Sequence, residues 1–173
     1  MAKNDEHPRA EKMLPTQEAG ITPWDVVDRL LTDGGTYWLA TVRADGRPHL
    51  VPIGAVWMDG ALYFTTGQGT RKEANIKHNS HCALSLSSRG YDLVVEGTAA
   101  HLEDEGKLQR LARIYSSPPN NWPATVRDGA FDAPFSAPTT GPAPYEVYEV
   151  TPVVAFALGT EEETVNLCTR YRF

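Results

Sequence analysis

No stretch of the 173-residue sequence approaches the roughly 20 consecutive apolar residues of a membrane-spanning helix. The opening MAKNDEHPRAEK also lacks the apolar core of a signal peptide. A cytoplasmic protein with no membrane partner is the expectation. Cysteine is scarce: Cys82 and Cys168 stand far apart in apolar, β-like surroundings and belong to no Cys-x-x-Cys pair. Two buried free thiols fit that placement better than a disulfide framework. The five histidines include no His-x-x-x-His helix pair, and His78 with His81 lacks a third ligand nearby, which argues against a zinc site. Positive charge is in deficit, at a formal net charge of -6, so general attraction to nucleic acid or anionic lipid is not expected. No P-loop, dinucleotide-binding glycine pattern, Ser-His-Asp order or Cys-His pair stands out, and no residue is singled out as catalytic.

What is present reads as one globular domain, residues 21–173, preceded by a polar arm, residues 1–20, expected to be mobile. ITPWDVVDRLL predicts a helix with Thr22 as cap, Pro23 in the first turn and Asp33-Gly34-Gly35 as the stop. From Thr36 the period becomes two: TYWLATV, HLVPIGAVWM and ALYFTT are strands joined at Asp45-Gly46 and Asp59-Gly60. A short helix near Thr70–His78 follows, with Thr70 and Glu73 spaced as a capping box. HCALSLSS and YDLVVEGTAAHL restore the β pattern, and Gly97 within the second marks a bulge or bend. EDEGKLQRLARIY puts Leu108, Leu111 and Ile114 on one helical face. Residues 116–144 hold seven of the thirteen prolines and no sustained period; an ordered loop that serves function or covers a dimer face, or a disordered one, is open. YEVYEVTPVVAFALG and LCTRYRF are the last strands. About six to eight short antiparallel strands with short inserted helices favour closure into a mainly β barrel, which removes exposed edges.

One segment carries chemistry. YFTTGQGTRKEANI runs from a strand through Gly67 and Gly69 into Arg71 and Lys72 at a helix start. Backbone N–H groups and the helix dipole converge there and suit an anion, whereas two cations alone oppose the dipole by roughly 0.3–1 kcal/mol each. A solvated basic face is the plainer reading of the same residues.

Taken in order, WLATVRADGRPHLVPIGAVWMDGALYFTTGQGTRKEANIKHNSHCALSL, then VVEGTAAHL, then the terminal TRYRF, resemble the pyridoxamine 5'-phosphate oxidase-like superfamily of flavin and deazaflavin oxidoreductases. The resemblance implies a split β-barrel homodimer that binds FMN or the deazaflavin coenzyme F420 between its subunits. It places the cofactor phosphate at Thr65, Thr66, Arg71 and Lys72, and the ring along Pro52, Ile53, Val56 and Trp57. It brings Arg170 and Arg172 of the last strand to the cofactor, often that of the partner subunit. Tyr171 stands where such relatives usually have Trp, and the Arg-x-His motif of true pyridoxamine phosphate oxidases is missing, so oxidation of vitamin B6 is not implied.

Three local readings accompany it. Trp38, Trp57 and Tyr63 either line a ring pocket or belong to the core. Arg170 and Arg172 share one face of a strand, as a charged edge or a phosphate contact, with Tyr171 and Phe173 on the other. Arg43, Arg47 and Lys77 are candidates for the acidic tail of F420, although Arg43 and Arg47 also flank a turn. The expected function is hydride transfer between FMN or F420 and a small organic substrate. A non-catalytic protein that stores flavin, haem or pyridoxal phosphate is the alternative.

Overall fold

The structure is a computed structural model that describes residues 7–13, 20–137 and 140–173. Helix α1, Trp24–Asp33, buries Val27, Leu30 and Leu31 on one face and stops at Gly34. Thr22 is not its cap: Pro23 holds that position, and no side chain caps the helix. The Thr22 amide instead donates to Thr169 Oγ1 at 2.9 Å, and its carbonyl accepts from the Tyr171 hydroxyl at 2.5 Å. The Thr22 backbone is thus tied to the last strand, while its buried hydroxyl has no partner among the described residues.

Strands β2 (Thr36–Val42), β3 (Pro48–Met58) and β4 (Ala61–Gly67) form the expected meander through the two Asp-Gly turns. Helix α2 (Arg71–His78) leads into β5 (His81–Ser88) and β6 (Tyr91–His101). Helix α3 (Glu105–Ser116) starts at Asp104, whose carboxylate accepts from Lys107 N at 2.9 Å. Leu108 and Leu111 of α3 are buried and Ile114 is partly so.

The long strand β9, Tyr145–Gly159, closes the fold. It pairs with β4 on one side and β6 on the other, while β2 joins β3 to β5, which completes a closed six-stranded antiparallel barrel. The β6–β9 register shifts between Glu96 and Gly97, where a Cβ on Gly97 would run into the Thr151 carbonyl, so the bulge falls at the expected glycine. The fold is thus a mainly β split barrel, and among the described residues its sheet has ten strands.

The strands beyond the expected six to eight come from segments read as irregular. β7 (Thr125–Arg127) and β8 (Ala130–Asp132) form a hairpin within the proline-rich stretch, and Phe131 pairs with Tyr145. β1, Arg9–Lys12, lies inside the expected arm and pairs with β10, Cys168–Arg172, which itself pairs with β9. Residues 1–6 and 14–19 of the arm are outside the described residues.

Two cores result. One fills the barrel around Leu39, Phe64, Leu84 and Val95. The other joins the outer face of β3 and β4 to α3 and the hairpin, around Tyr63, Leu111, Phe131 and Val147. Both thiols are free: Cys82 is buried and Cys168 only half-buried. Among the described residues, no helix is long and apolar enough to cross a membrane.

Candidate functional site

Helix α2 is set by its own side chains. Thr70 caps it by accepting from Glu73 N, and Thr66 Oγ1 meets Thr70 Oγ1 at 2.6 Å. Thr66 is fully buried and so supports the helix start from within. Glu73 Oε2 accepts from Gly69 N at 2.5 Å, and its other oxygen pairs with Lys77 at 2.6 Å. The Gly69 N–H is therefore taken by the chain's own carboxylate and is not among the amides left for an anion.

The two cations at the helix start part company. Arg71 points to solvent, whereas Lys72 is only 7% exposed. The helical phase explains the difference, since Lys72 shares a face with Asn75 and Ile76, which pack into the barrel end. Among the described residues Lys72 has no hydrogen-bond or ion-pair partner, and burial pushes its pKa below the usual 10.5. Its stem is buried while its ammonium opens on a cleft, where an anion would offset the desolvation that lowers its pKa.

Lys72 opens on a cleft of about 380 Å³ on the outer face of the barrel. Pro52, Ile53 and Thr65 line it beside Lys72, so four of the expected positions meet there. Val56 and Trp57 do not line it: Val56 faces the α3 core, and Trp57 is buried in the barrel with Nε1 donating to Asp28 at 2.8 Å. Tyr63 is likewise core, which decides two of the three aromatic readings. Trp38 is exposed on the outer face.

Arg170 and Arg172 share one face of β10, as expected, but both Nε atoms donate to Glu11 Oε1 of β1 at 2.7 Å. Neither lines the cleft. Those two bonds, Arg172 foremost, hold the Glu11 carboxyl below its ordinary pKa of 4.5. Tyr171 points the other way, fully buried and edge-on to Trp24 at 5.0 Å. Of the three cations considered for an acidic tail, Arg47 is paired with Asp45 at 2.8 Å and Lys77 with Glu73. Arg43 has no ion pair among the described residues. It acts with Arg71 and Lys72 on His49, whose pKa is lowered first by burial and then by those three charges. A local positive field thus exists in a chain of net charge -6.

Sequence reasoning missed the opposite wall of the cleft. Tyr115 of α3 and Trp122, Phe135 and Ser136 of the proline-rich segment supply it. A Trp and a Phe among prolines were the available signal, because a solvated linker has little use for large aromatic rings. Segment 140–142 also rests directly on the glycine turn: a Cβ on Gly67 would collide with the Thr140 carbonyl. Gly67 serves chain packing there.

A family model described as Pyridoxamine 5'-phosphate oxidase matches residues 24–157, from the start of α1 almost to the end of β9. The chain belongs to this family. Among solved structures of the same fold, General Stress Protein 26 from Bacillus anthracis str. Sterne is 19% identical, with a TM-score of 0.58 over 86% of this chain and 97% of its own. An F420 reductase is 24% identical, with a TM-score of 0.51 over 74% and 94%. HupZ of Group A Streptococcus is 16% identical, with a TM-score of 0.54 over 82% and 98%. At such identities the likeness is one of fold. No curated protein matches this chain.

Proposed function

We propose that the chain is an oxidoreductase that holds FMN or F420 and passes hydride between it and a small organic substrate, working as a cytoplasmic homodimer. The observation that carries this reading is Lys72, a buried cation with no partner among the described residues, placed over a cleft. The Thr65 hydroxyl and the Lys72 ammonium would take the cofactor phosphate, with Arg71 adding charge from the solvent side. The strand Pro52–Gly54 offers a flat flank for a ring. Hydride chemistry belongs to the cofactor when bound, so the chain's tasks are binding, orientation and exclusion of water. Family membership and the F420 reductase of like fold support the choice of cofactors. None of the described residues that line the cleft is acidic, which supports an anion of that kind.

Fluorescence titration with FMN and with F420 tests the reading. Wild-type protein should saturate with one of them. Lys72→Met should weaken that affinity by about tenfold to a hundredfold, the range for a charge-assisted hydrogen bond of roughly 1.5–3 kcal/mol. The cofactor-free melting temperature should hold or rise, because the substitution removes a desolvated charge. Absence of saturation with either cofactor would reject the proposal. Oxidation of the bound reduced cofactor no faster than in free solution would make the protein a carrier.

A further inference from the structure

A phosphate site needs no aromatic wall, yet this cleft has one. Trp122 is fixed from several sides: its amide donates to Tyr115 O at 2.8 Å, and its ring lies edge-on to Tyr115 and Tyr145 at 5.5 and 5.4 Å. Its indole Nε1 donates to the Phe135 carbonyl at 2.6 Å and so sets the backbone that carries Phe135. Phe135 is 57% exposed although it lines the cleft. A large ring is held out beside Trp122 with about half its surface bare.

Charge narrows what could cover it. Among the described residues that line the cleft, Lys72 is the only charged one. With Lys72 committed to a cofactor phosphate, a charged group laid on Phe135 finds no opposite charge among the other described residues that line the cleft. A neutral ring compound meets no such penalty and gains by covering Phe135, since flat rings stack with a preference beyond the buried area.

We infer that Phe135, positioned by Trp122, is the substrate-side specificity contact of the cleft and selects flat, uncharged, apolar ring compounds. The inference rests on the proposed cofactor site. The proline-rich segment is on this view a binding wall built into the fold.

Menadione, a neutral naphthoquinone, is the probe, titrated calorimetrically into the full-length protein with and without FMN or F420. Phe135→Ala should weaken menadione binding at least fivefold and change cofactor affinity less than twofold. Phe135→Leu, which keeps apolar bulk without a flat ring, should fall between. Wild-type protein should bind the sulfonated naphthoquinone at least fivefold more weakly than menadione in the cofactor-loaded state. If the wild type takes up a cofactor and Phe135→Ala binds menadione equally well, the inference fails and the cofactor site stands. If Phe135→Ala loses cofactor and menadione together, Phe135 is a cofactor contact and the inference is overturned. If no cofactor binds, the proposed function fails, and menadione titration of the unloaded protein still decides whether Phe135 is a ring-binding wall.

Discussion

Lys72 and Arg71 are neighbours of the same charge, and only their position on the helix separates a buried group from a solvated one. The burial of Lys72 has a pH signature. Its folded pKa lies below 10.5, so the unfolded chain binds the proton more tightly, and the cofactor-free fold gains stability as pH rises through that window. Anion affinity runs the opposite way, because the neutral amine cannot pair with a phosphate. Cofactor affinity measured from pH 7 upward should therefore begin to fall below the ordinary lysine range. Lys72→Arg should keep its affinity over the same span, since a guanidinium does not deprotonate there. Identical flat profiles for the two proteins would remove Lys72 from the phosphate. The sequence already held the clue: Lys72 precedes Ile76 by four residues and so shares its buried face. Thr66 was beyond reach in the same way that Lys72 was within it. Alternation in β4 could not show that its hydroxyl turns inward to the helix cap.

Elements with local causes were legible, and those with distant causes were not. The Asp-Gly turns, the Thr70 cap and the Gly97 bulge each depend on residues a few positions apart or on one close backbone approach. β1 depends on β10, with Arg9 opposite Arg172, and four residues without a clear alternation gave no sign of that pairing. β7 and β8 have three residues each, too few to display a period. Arg170 and Arg172 were rightly placed on one face, but their partner Glu11 lay in a segment read as an arm. The docking of segment 140–142 on β4 gives a direct test at this scale. Gly67→Ala forces a methyl group into the Thr140 carbonyl and should cost about 1–3 kcal/mol, the usual range for overpacking. A lower melting temperature with faster proteolysis between residues 134 and 144 is the expected result. An unchanged melting curve would show that the segment is not seated on the turn in solution.

At the scale of the whole molecule, the outer face of β2 and β3 is apolar and bare. Trp38 and Leu50 are 45% and 59% exposed, and Pro52, opposite Trp38, belongs both to this face and to the cleft. A second copy of the chain laid on this face would bury both side chains and border the proposed cofactor site. Light scattering at micromolar concentration should give about twice the 19.0 kDa chain mass. Leu50→Asp should halve that mass and weaken cofactor binding with it. A wild-type mass near 19.0 kDa would reject the dimer. The closure of the barrel by β9 also bears on how the chain is made. Leu62 awaits Val150 and Ala99 awaits the same residue from the other side, so both edges of the growing sheet stay open until β9 leaves the ribosome. Until then the nascent sheet presents two unpaired rims, each a template on which a neighbouring chain could add a strand.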